Sequence, residues 1–314
     1  MSPTGSTPRP AADVGVDPEM VGTLVRAQFP ELAHLEPGFA DDGWDNAIYR
    51  LGPDLAVRLP RRAAAHGLLL NEMRWLPFLA PRLPLPVPVP VHRGKPGEGY
   101  PYHWVIVPWF SGRSAASVPA AARDGYAGAL AAFFRALHVP APADAPRNLV
   151  RGVPLRDRDD AVRSRLEAVA KPLRGALLAM WEQGLAELEH VGPPLWLHGD
   201  PHPHNMLVHD TAGAGESAAG TGHEPARLSA VIDFGDLTAG DPACDLAVAW
   251  LHFTPSGLEE FRERLAGHGL YSPGTWVRAR AWAVNYAVLM AGLPSGDPLH
   301  AVGTHGIEHL LGPT

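Results

Sequence analysis

Residues 196–205 read Trp-Leu-His-Gly-Asp-Pro-His-Pro-His-Asn, and residues 230–236 read Ala-Val-Ile-Asp-Phe-Gly-Asp. Each stretch starts with an apolar, β-prone run and stops at a carboxylate, Asp200 in the first and Asp233 in the second. Such runs predict short buried strands that end in polar turns. Asn205 follows Asp200 by five positions, and Asp233 opens an Asp-Phe-Gly turn. We therefore expect these three side chains to converge in one cleft.

An aspartate, an asparagine and a second aspartate in this order fit the chemistry of phosphoryl transfer. That reaction needs one carboxylate to receive a hydroxyl proton, and an Asp and an Asn to hold magnesium on the phosphates. Asp200 would be the base, within hydrogen-bond reach of the acceptor hydroxyl. Asn205 and Asp233 would offer magnesium the oxygen ligands it prefers, with water and phosphate completing the octahedron.

The composition indicates a folded cytoplasmic protein. A chain of 314 residues fits one large or two modest domains. It has no apolar run of about 18 residues that would predict a membrane-spanning helix, and its N-terminus lacks the apolar stretch of a signal peptide. The single cysteine, Cys244, agrees with a reducing compartment. A net charge of −7 argues against a nucleic-acid partner.

Acidic residues are concentrated around the two motifs. From His198 to Asp245 the chain has eight acidic residues and one basic residue, Arg227. This balance suits magnesium and a cationic acceptor. Segment 210–226 is polar and rich in Gly and Ala, so we expect it to be a long, mobile loop between two strands, with its acidic residues in solvent.

Hydrophobic periodicity divides the chain into a sheet-rich first part and a helical second part. The first part has expected helices at 18–28 and 63–80, expected strands at 46–51, 54–59 and 102–108, and an extended, proline-rich run at 83–91. The second part has expected helices at 118–138, 158–190, 241–252, 256–268, 274–292 and 298–311, with short strands near 195–198, 206–209 and 228–232. The predicted class is α+β, with two lobes.

We place the lobe boundaries from this change of character. Residues 1–15 are expected to be a loose tail. Residues 16–108 would form a small antiparallel-sheet lobe that binds nucleotide, and residues 109–314 a larger helical lobe with the catalytic and acceptor sites. A connector at 108–114 would join them.

The motifs resemble those of the aminoglycoside phosphotransferase family, a branch of the protein-kinase-like superfamily that includes choline and homoserine kinases. The resemblance is carried by His198-Gly199-Asp200-Pro201-His202 with Asn205, by Ile232-Asp233-Phe234-Gly235-Asp236, and by Gly240-Asp241-Pro242 with Asp245-Leu246-Ala247. It extends from about residue 40 to the C-terminus and is most specific in the second lobe. It implies a bilobal protein-kinase-like fold and magnesium-dependent transfer of the γ-phosphate of ATP or GTP to a hydroxyl.

The resemblance also implies roles for residues that bind the nucleotide. The family places a basic residue on the third strand, paired with a glutamate on the next helix. Arg58 and Glu72 match these positions, with arginine where most kinases have lysine. Gly43 and Asn46 would belong to the loop that covers the phosphates. Connector residues would contact the purine, namely Pro108, Trp109 and Phe110; Trp109 fits a place in the core equally well.

Around the catalytic loop the resemblance implies supporting residues. His198 and His202 would brace the loop, and Asp245 would hold it from below or cap a helix that begins near Pro242. We expect His204 and His209 to face solvent. Asp236 fits a solvent-facing role as well as a metal-linked one.

The family's best-known acceptors make an aminoglycoside or related antibiotic the leading substrate, with resistance as the outcome. A macrolide or peptide antibiotic and a metabolite such as an amino alcohol stay open. The segment from about 250 to 311 should line the acceptor pocket, where four acidic residues are candidates to meet amines or, more simply, face solvent: Glu259, Glu260, Glu263 and Asp297.

Two readings from other classes compete with the kinase reading. A metal hydrolase would use a zinc cluster drawn from His198, Asp200, His202, His204, His209 and Asp210, but Asp-Phe-Gly stands downstream where a further histidine ligand is expected. A pseudokinase would bind nucleotide or a partner without catalysis. The intact Asp200, Asn205 and Asp233 argue against it.

Overall fold

A five-stranded antiparallel sheet dominates the first part of the chain in the computed structural model, which describes residues 10–209, 225–267 and 269–312. The strands are β1 (Pro37–Asp42), β2 (Asn46–Leu51), β3 (Leu55–Pro60), β4 (His92–Gly94) and β5 (Trp104–Pro108). Their spatial order is β1-β2-β3-β5-β4. Two helices accompany the sheet: α1 (Pro18–Gln28) and α2 (Ala63–Leu79).

The two faces of β3 explain why this strand is almost fully buried. Val57 and Leu59 pack into a cluster with α1, whereas Ala56 packs into a separate cluster with α2. Successive side chains of a strand point to opposite faces. Arg58, between Val57 and Leu59, therefore points toward α2. The predicted β2–β3 hairpin is present, with Gly52 at a φ of +65° in the turn.

The expected loose tail is wrong for the part that the structure describes. The backbone N–H of Asp13 donates to Arg61 O at 2.8 Å, and the Asp13 carboxylate accepts from Ala63 N at 2.7 Å. Val14 packs against the α1 side of the sheet. These contacts anchor the chain before α1, and residues 1–9 lie outside the described residues.

Helices and short strands make up the second part of the chain. The helices are α3 (Ala120–Arg123), α4 (Ala127–Leu137), α5 (Asp159–Glu167), α6 (Lys171–Ala186), α7 (Ala243–Leu246), α8 (Ala249–His252), α9 (Pro255–Leu265), α10 (Pro273–Ala291) and α11 (Pro298–Leu311). The strands are β6 (Arg113–Ser114), β7 (Leu195–Leu197), β8 (Met206–Val208), β9 (Leu228–Val231) and β10 (Thr238–Gly240). The proposed connector, 108–114, runs from the end of β5 through β6.

Three expected helices are interrupted, each for a local reason. The helix expected at 118–138 breaks at a 3₁₀ turn that begins at Asp124. The side chain of Asp124 there accepts a hydrogen bond from the backbone N–H of Thr254, at the N-terminus of α9. The helix expected at 158–190 is two helices, because Pro172 is tolerated only in a first helical turn and so opens α6. The helix expected at 241–252 is also two, α7 and α8.

Some strands were missed by the sequence patterns. β1 contains Pro37, Gly38 and two aspartates, which are poor strand formers, and pairing with β2 imposes its conformation. β4, β6 and β10 have only two or three residues each, too few to show an alternating pattern. Strand β8 pairs with β9 antiparallel, and residues 210–224 of the long loop predicted between them lie outside the described residues.

Helix α10 forms the centre of the second part. It contacts α5, α6, α7, α8 and α11, and large side chains such as Trp282 and Tyr286 are fully buried along it. Two small sheets, β6-β8-β9 and β7-β10, carry the two motif loops at their strand ends. Across residues 10–209, 225–267 and 269–312, no helix reaches the length and apolar content needed to cross a membrane.

Candidate active site

The structure brings the two motif loops together through backbone hydrogen bonds. Asn205 donates from Nδ2 to Asp200 O at 2.8 Å, and its own carbonyl accepts from Ile232 N at 2.9 Å. His198 donates from Nε2 to Ile232 O at 3.1 Å and accepts at Nδ1 from Asp200 N at 3.3 Å. The loops that carry Asp200, Asn205 and Asp233 are therefore joined where β8 begins and β9 ends.

Asp245 holds the catalytic loop from inside the protein. Its fully buried carboxylate accepts from the backbone N–H groups of His198 at 2.7 Å and Gly199 at 2.9 Å, and it lies 3.2 Å from Nε2 of His138. A buried carboxylate needs such partners, because an unpaired one would cost several kcal/mol. It does not cap α7, whose N-cap is Pro242.

Asp233 has an unusual backbone that presents its side chain to the cleft. Its φ is +61°, a left-handed value that costs free energy for a residue other than glycine. Its side chain is 56% exposed, and Oδ1 accepts from Gly235 N at 3.3 Å. Asn205 uses its amide nitrogen on the loop, which leaves Oδ1 for another ligand. Two hard oxygen donors of this kind fit magnesium.

Arg58 and Glu72 form a buried bidentate ion pair, with Nη1–Oε2 at 2.7 Å and Nη2–Oε1 at 3.1 Å. Nη2 of Arg58 also lies 3.9 Å from Oδ1 of Asp233. Burial acts to lower the pKa of Arg58, but the two carboxylates outweigh it and raise that pKa above its ordinary value. A permanent positive charge thus stands beside the Asp-Phe-Gly turn.

Asp200 is held between two positive groups. Oδ1 lies 3.1 Å from Nη2 of Arg151, and Oδ2 lies 3.3 Å from Nε2 of His202. Burial alone would raise the pKa of Asp200, but His202 and Arg151 outweigh it and hold that pKa well below its usual range. The carboxylate is ionised, and each oxygen keeps a further lone pair for another hydrogen-bond donor.

A turn before α5 fixes Arg151 in this place. Asn148 donates from Nδ2 to Asp236 Oδ1 at 2.7 Å, and its Oδ1 accepts from the backbone N–H of Arg151 at 3.2 Å. The guanidinium lies over the ring of Tyr286, 5.0 Å from its centroid. Sequence reasoning missed Arg151 because it lies 49 positions before Asp200 in a loop with no recognisable motif.

A family model, described as the phosphotransferase enzyme family, matches residues 39–282 of this chain. The chain belongs to the phosphotransferase enzyme family. It is therefore a kinase-type enzyme that transfers phosphate to an alcohol group, and the expected family resemblance and protein-kinase-like fold are confirmed.

Solved structures show the same fold at low sequence identity. A GDP complex of aminoglycoside 2'-phosphotransferase-IIIa is 18% identical, with a TM-score of 0.64 over 94% of this chain and 98% of that one. The apoenzyme of a macrolide 2'-phosphotransferase from Brachybacterium faecium is 23% identical, with a TM-score of 0.59 over 88% and 92%. A curated relative, the lysine-specific demethylase JMJ21 of Arabidopsis thaliana, is 31% identical over 124 residues, which are 35% of this chain but only 13% of that protein.

The histidines near the catalytic loop of this phosphotransferase differ in their surroundings. Burial acts to lower the pKa of His202, but Asp200 outweighs it and raises that pKa above its ordinary value. His204 does not simply face solvent, because Nε2 donates to Pro298 O of α11 at 3.2 Å. His209 is exposed, as expected. Asp236 does not simply face solvent, because it accepts a hydrogen bond from Asn148. Burial raises the pKa of this carboxyl group.

The loop expected to cover the phosphates is the tight turn between β1 and β2. Gly43 N donates to Asn46 O at 2.9 Å, and a side chain at Gly43 would crowd that carbonyl. The carboxylate of Asp45 pairs with Arg62 at the start of α2. Oδ1 of Asn46 is buried with no hydrogen-bond partner among the described residues. The turn is thus tied to the start of α2, just after the strand that carries Arg58.

The connector offers the purine fewer backbone groups than expected. The N–H of Trp109 donates to Asp54 O at 2.7 Å and is not available to a base, and Pro108 has no N–H. The half-buried Trp109 ring packs against the α2-side cluster of the sheet, with the guanidinium of Arg50 4.8 Å from its centroid. Phe110 is also half-buried. Apolar contact and the remaining backbone groups are left for the base.

The zinc cluster of the hydrolase alternative is not formed. In the described part of the chain, no three His, Cys, Asp or Glu side chains are arranged to hold a metal, and Asp210 lies outside it.

The acidic candidates for the acceptor pocket have other surroundings. Glu260 pairs with Arg264 on α9, and Asp297 caps α11.

Proposed function

We propose that this phosphotransferase moves the γ-phosphate of ATP or GTP to a hydroxyl of a small molecule, with magnesium held by Asn205 and Asp233. The proposal is supported by the hydrogen bonds that join the loop of Asp200 and Asn205 to the segment of Asp233, where β8 begins and β9 ends. When bound, magnesium would offset the charge of the phosphates. The rest of the chemistry falls to side chains of the chain.

In this mechanism the acceptor oxygen bonds to the γ-phosphorus while the bond to the β–γ bridging oxygen breaks. The hydroxyl proton goes to Asp200, and the nucleoside diphosphate leaves. Asp200 chiefly orients the hydroxyl, because its depressed pKa makes it a weak base. It takes the proton late in the reaction, when bonding to phosphorus has drawn electron density from the acceptor oxygen. Arg58, held by Glu72, would contact the phosphates with a fixed positive charge.

The base of the nucleotide would pack on the α2-side cluster of the sheet. Ile48 and Trp109 pack against this cluster and are only partly buried, so they leave apolar surface for the base. Gly43 and Asn46 belong to the turn that would cover the phosphates. These contacts are apolar or made by backbone, so they fit both ATP and GTP.

On the shared fold alone, an antibiotic such as an aminoglycoside is the leading acceptor, with phosphorylation causing resistance. Support comes from the shared fold with an aminoglycoside 2'-phosphotransferase and a macrolide 2'-phosphotransferase. One fold hosts many substrates, so that support is by analogy. A metabolite acceptor is the second candidate, and a group of arginines near Asp200, described below, favours it.

Replacing Asp200 tests the phosphotransfer. In a coupled nucleoside-diphosphate release assay over antibiotics and metabolites, run with ATP and with GTP, Asp200→Asn should lower kcat/KM by about 10²–10⁴. Nucleotide affinity, measured by calorimetry, should be retained. Asp157→Asn is the matched control, because Asp157 is exposed before α5. Turnover by Asp200→Asn equal to that of the parent protein would refute the assignment.

A further inference from the structure

Three arginines lie close together, and one of them, Arg151, contacts Asp200. Arg158 precedes α5 and Arg165 lies in its last turn, seven residues later, so both lie on one face of the helix. Nη1 of Arg165 donates to Asn285 Oδ1 at 3.0 Å. The next residue of α10, Tyr286, lies under Arg151 and donates from its hydroxyl to Gly199 O at 3.3 Å. The cluster therefore adjoins the catalytic loop.

The positive charges of this cluster are only partly compensated. Arg151 has carboxylate partners, Asp200 and Asp236. Within residues 10–209, 225–267 and 269–312, neither Arg158 nor Arg165 has a carboxylate at ion-pair distance, and Nε of Arg158 is buried without a hydrogen-bond partner. Burial first, and then the charges of Arg158 and Arg151, lower the pKa of Arg165.

Such an arrangement costs free energy unless an anion completes it. Half-buried guanidinium groups lose hydration and repel one another. On the same helix, Arg163 shows the ordinary alternative, since it pairs with Asp159 at 2.8 Å and Glu182 at 3.2 Å. The uncompensated charges of Arg158 and Arg165 lie next to Arg151, which contacts Asp200, and such charge near a candidate active site is typical of a site that binds a ligand of opposite charge.

We propose that Arg158 and Arg165 form an oxyanion subsite, which binds a carboxylate or phosphate group of the acceptor while a hydroxyl of the same molecule meets Asp200. Guanidinium groups suit both anions, because their donors match pairs of oxygen atoms. The acceptor is then a hydroxy acid or a phosphate ester rather than a polycation. This inference rests on the proposed phosphotransfer and narrows its acceptor.

Anion-dependent stability of the full chain tests the subsite without knowledge of the acceptor. The melting temperature is measured with saturating Mg·ADP, in chloride, phosphate or acetate at equal ionic strength. Phosphate or acetate should raise it in the parent protein, and the preferred anion distinguishes a phosphate ester from a carboxylate. Arg158→Gln and Arg165→Gln should abolish the rise, whereas Arg163→Gln should keep it. An equal rise in all four proteins, or none in the parent, overturns the proposal.

Kinetics with an acceptor from the screen separate this subsite from the phosphotransfer itself. Arg165→Gln keeps an amide donor for Asn285, yet should raise the acceptor KM by about 10- to 100-fold with the nucleotide KM unchanged. Turnover of an amine-bearing antibiotic with the same acceptor KM in both proteins would reject the subsite and leave phosphotransfer intact. Unchanged turnover in Asp200→Asn would instead reject the phosphotransfer assignment.

Discussion

Arg58 combines two tasks, since it neutralises buried Glu72 and presents positive charge to the nucleotide site. Arg58→Met should weaken nucleotide binding and destabilise the fold by about 3–5 kcal/mol, because Glu72 is left buried and unpaired. Adding Glu72→Gln should restore much of the stability without restoring nucleotide affinity. Calorimetry and denaturant unfolding measure the two effects. Arg93→Met is the control, because Arg93 of β4 is exposed. Equal nucleotide affinity in Arg58→Met and Arg93→Met would contradict the role of Arg58.

The charge of His202 depends on Asp200. Burial acts to lower the pKa of His202, and the Asp200 carboxylate 3.3 Å away reverses this. In Asp200→Asn, burial and the charge of Arg151 outweigh the remaining charge of Asp233, so the pKa of His202 should fall below the ordinary value of about 6.5. Imidazole NMR titration measures it. Asp236→Asn is the matched control, because Asp236 contacts Arg151 and not His202. A His202 that still titrates above 6.5 in Asp200→Asn would contradict this coupling.

At the scale of elements, the contact between α10 and α11 depends on small residues. A side chain at Gly303 of α11 would overlap the backbone of Met290 and Ala291 in α10. Gly303→Ala should therefore destabilise the protein by about 1–3 kcal/mol, even though alanine favours helices. Denaturant unfolding provides the measurement.

Gly175 of α6 is the matched control for this packing prediction. It is an exposed helical glycine whose added Cβ would meet no atom within 4 Å. Gly175→Ala should stabilise the protein by about 0.5–1 kcal/mol through helix propensity alone. If both substitutions shift the free energy of unfolding in the same direction, the prediction that a side chain at Gly303 disrupts the contact between α10 and α11 is contradicted.

For the whole molecule, four histidines link α8, α11 and the catalytic loop, and they make stability depend on pH. His204, His252, His305 and His309 each bond a backbone carbonyl of a neighbouring segment. Burial lowers the pKa of each below its ordinary value. The unfolded chain therefore takes up these protons first as pH falls below about 6.5. Their contribution is complete above that pH and is lost below it.

His202 opposes this trend, because its pKa is raised and its contribution is present below pH 6.5 and lost as pH rises. These four histidines, together with His66, whose pKa is also lowered, outnumber it, so the melting temperature should fall between pH 7.5 and 5.5. Circular dichroism at constant ionic strength measures this. His252→Asn should flatten the pH dependence, since His252 is fully buried and its pKa lies well below the ordinary value. A melting temperature that rises on acidification would contradict the account.

The sequence by itself determined the elements whose signals are local. Periodicity predicts the β2–β3 hairpin, α2 and α11. Residues at the ends of apolar runs predict the approach of the loops that carry Asp200, Asn205 and Asp233. Only the tertiary structure decided that Arg151 contacts Asp200 and that Arg165 bonds to Asn285 of α10. Those contacts join segments that lie many residues apart and carry no motif. Tertiary packing brings these segments together. The sequence could not predict the contacts, because side-chain partners so far apart leave no periodic pattern in the chain.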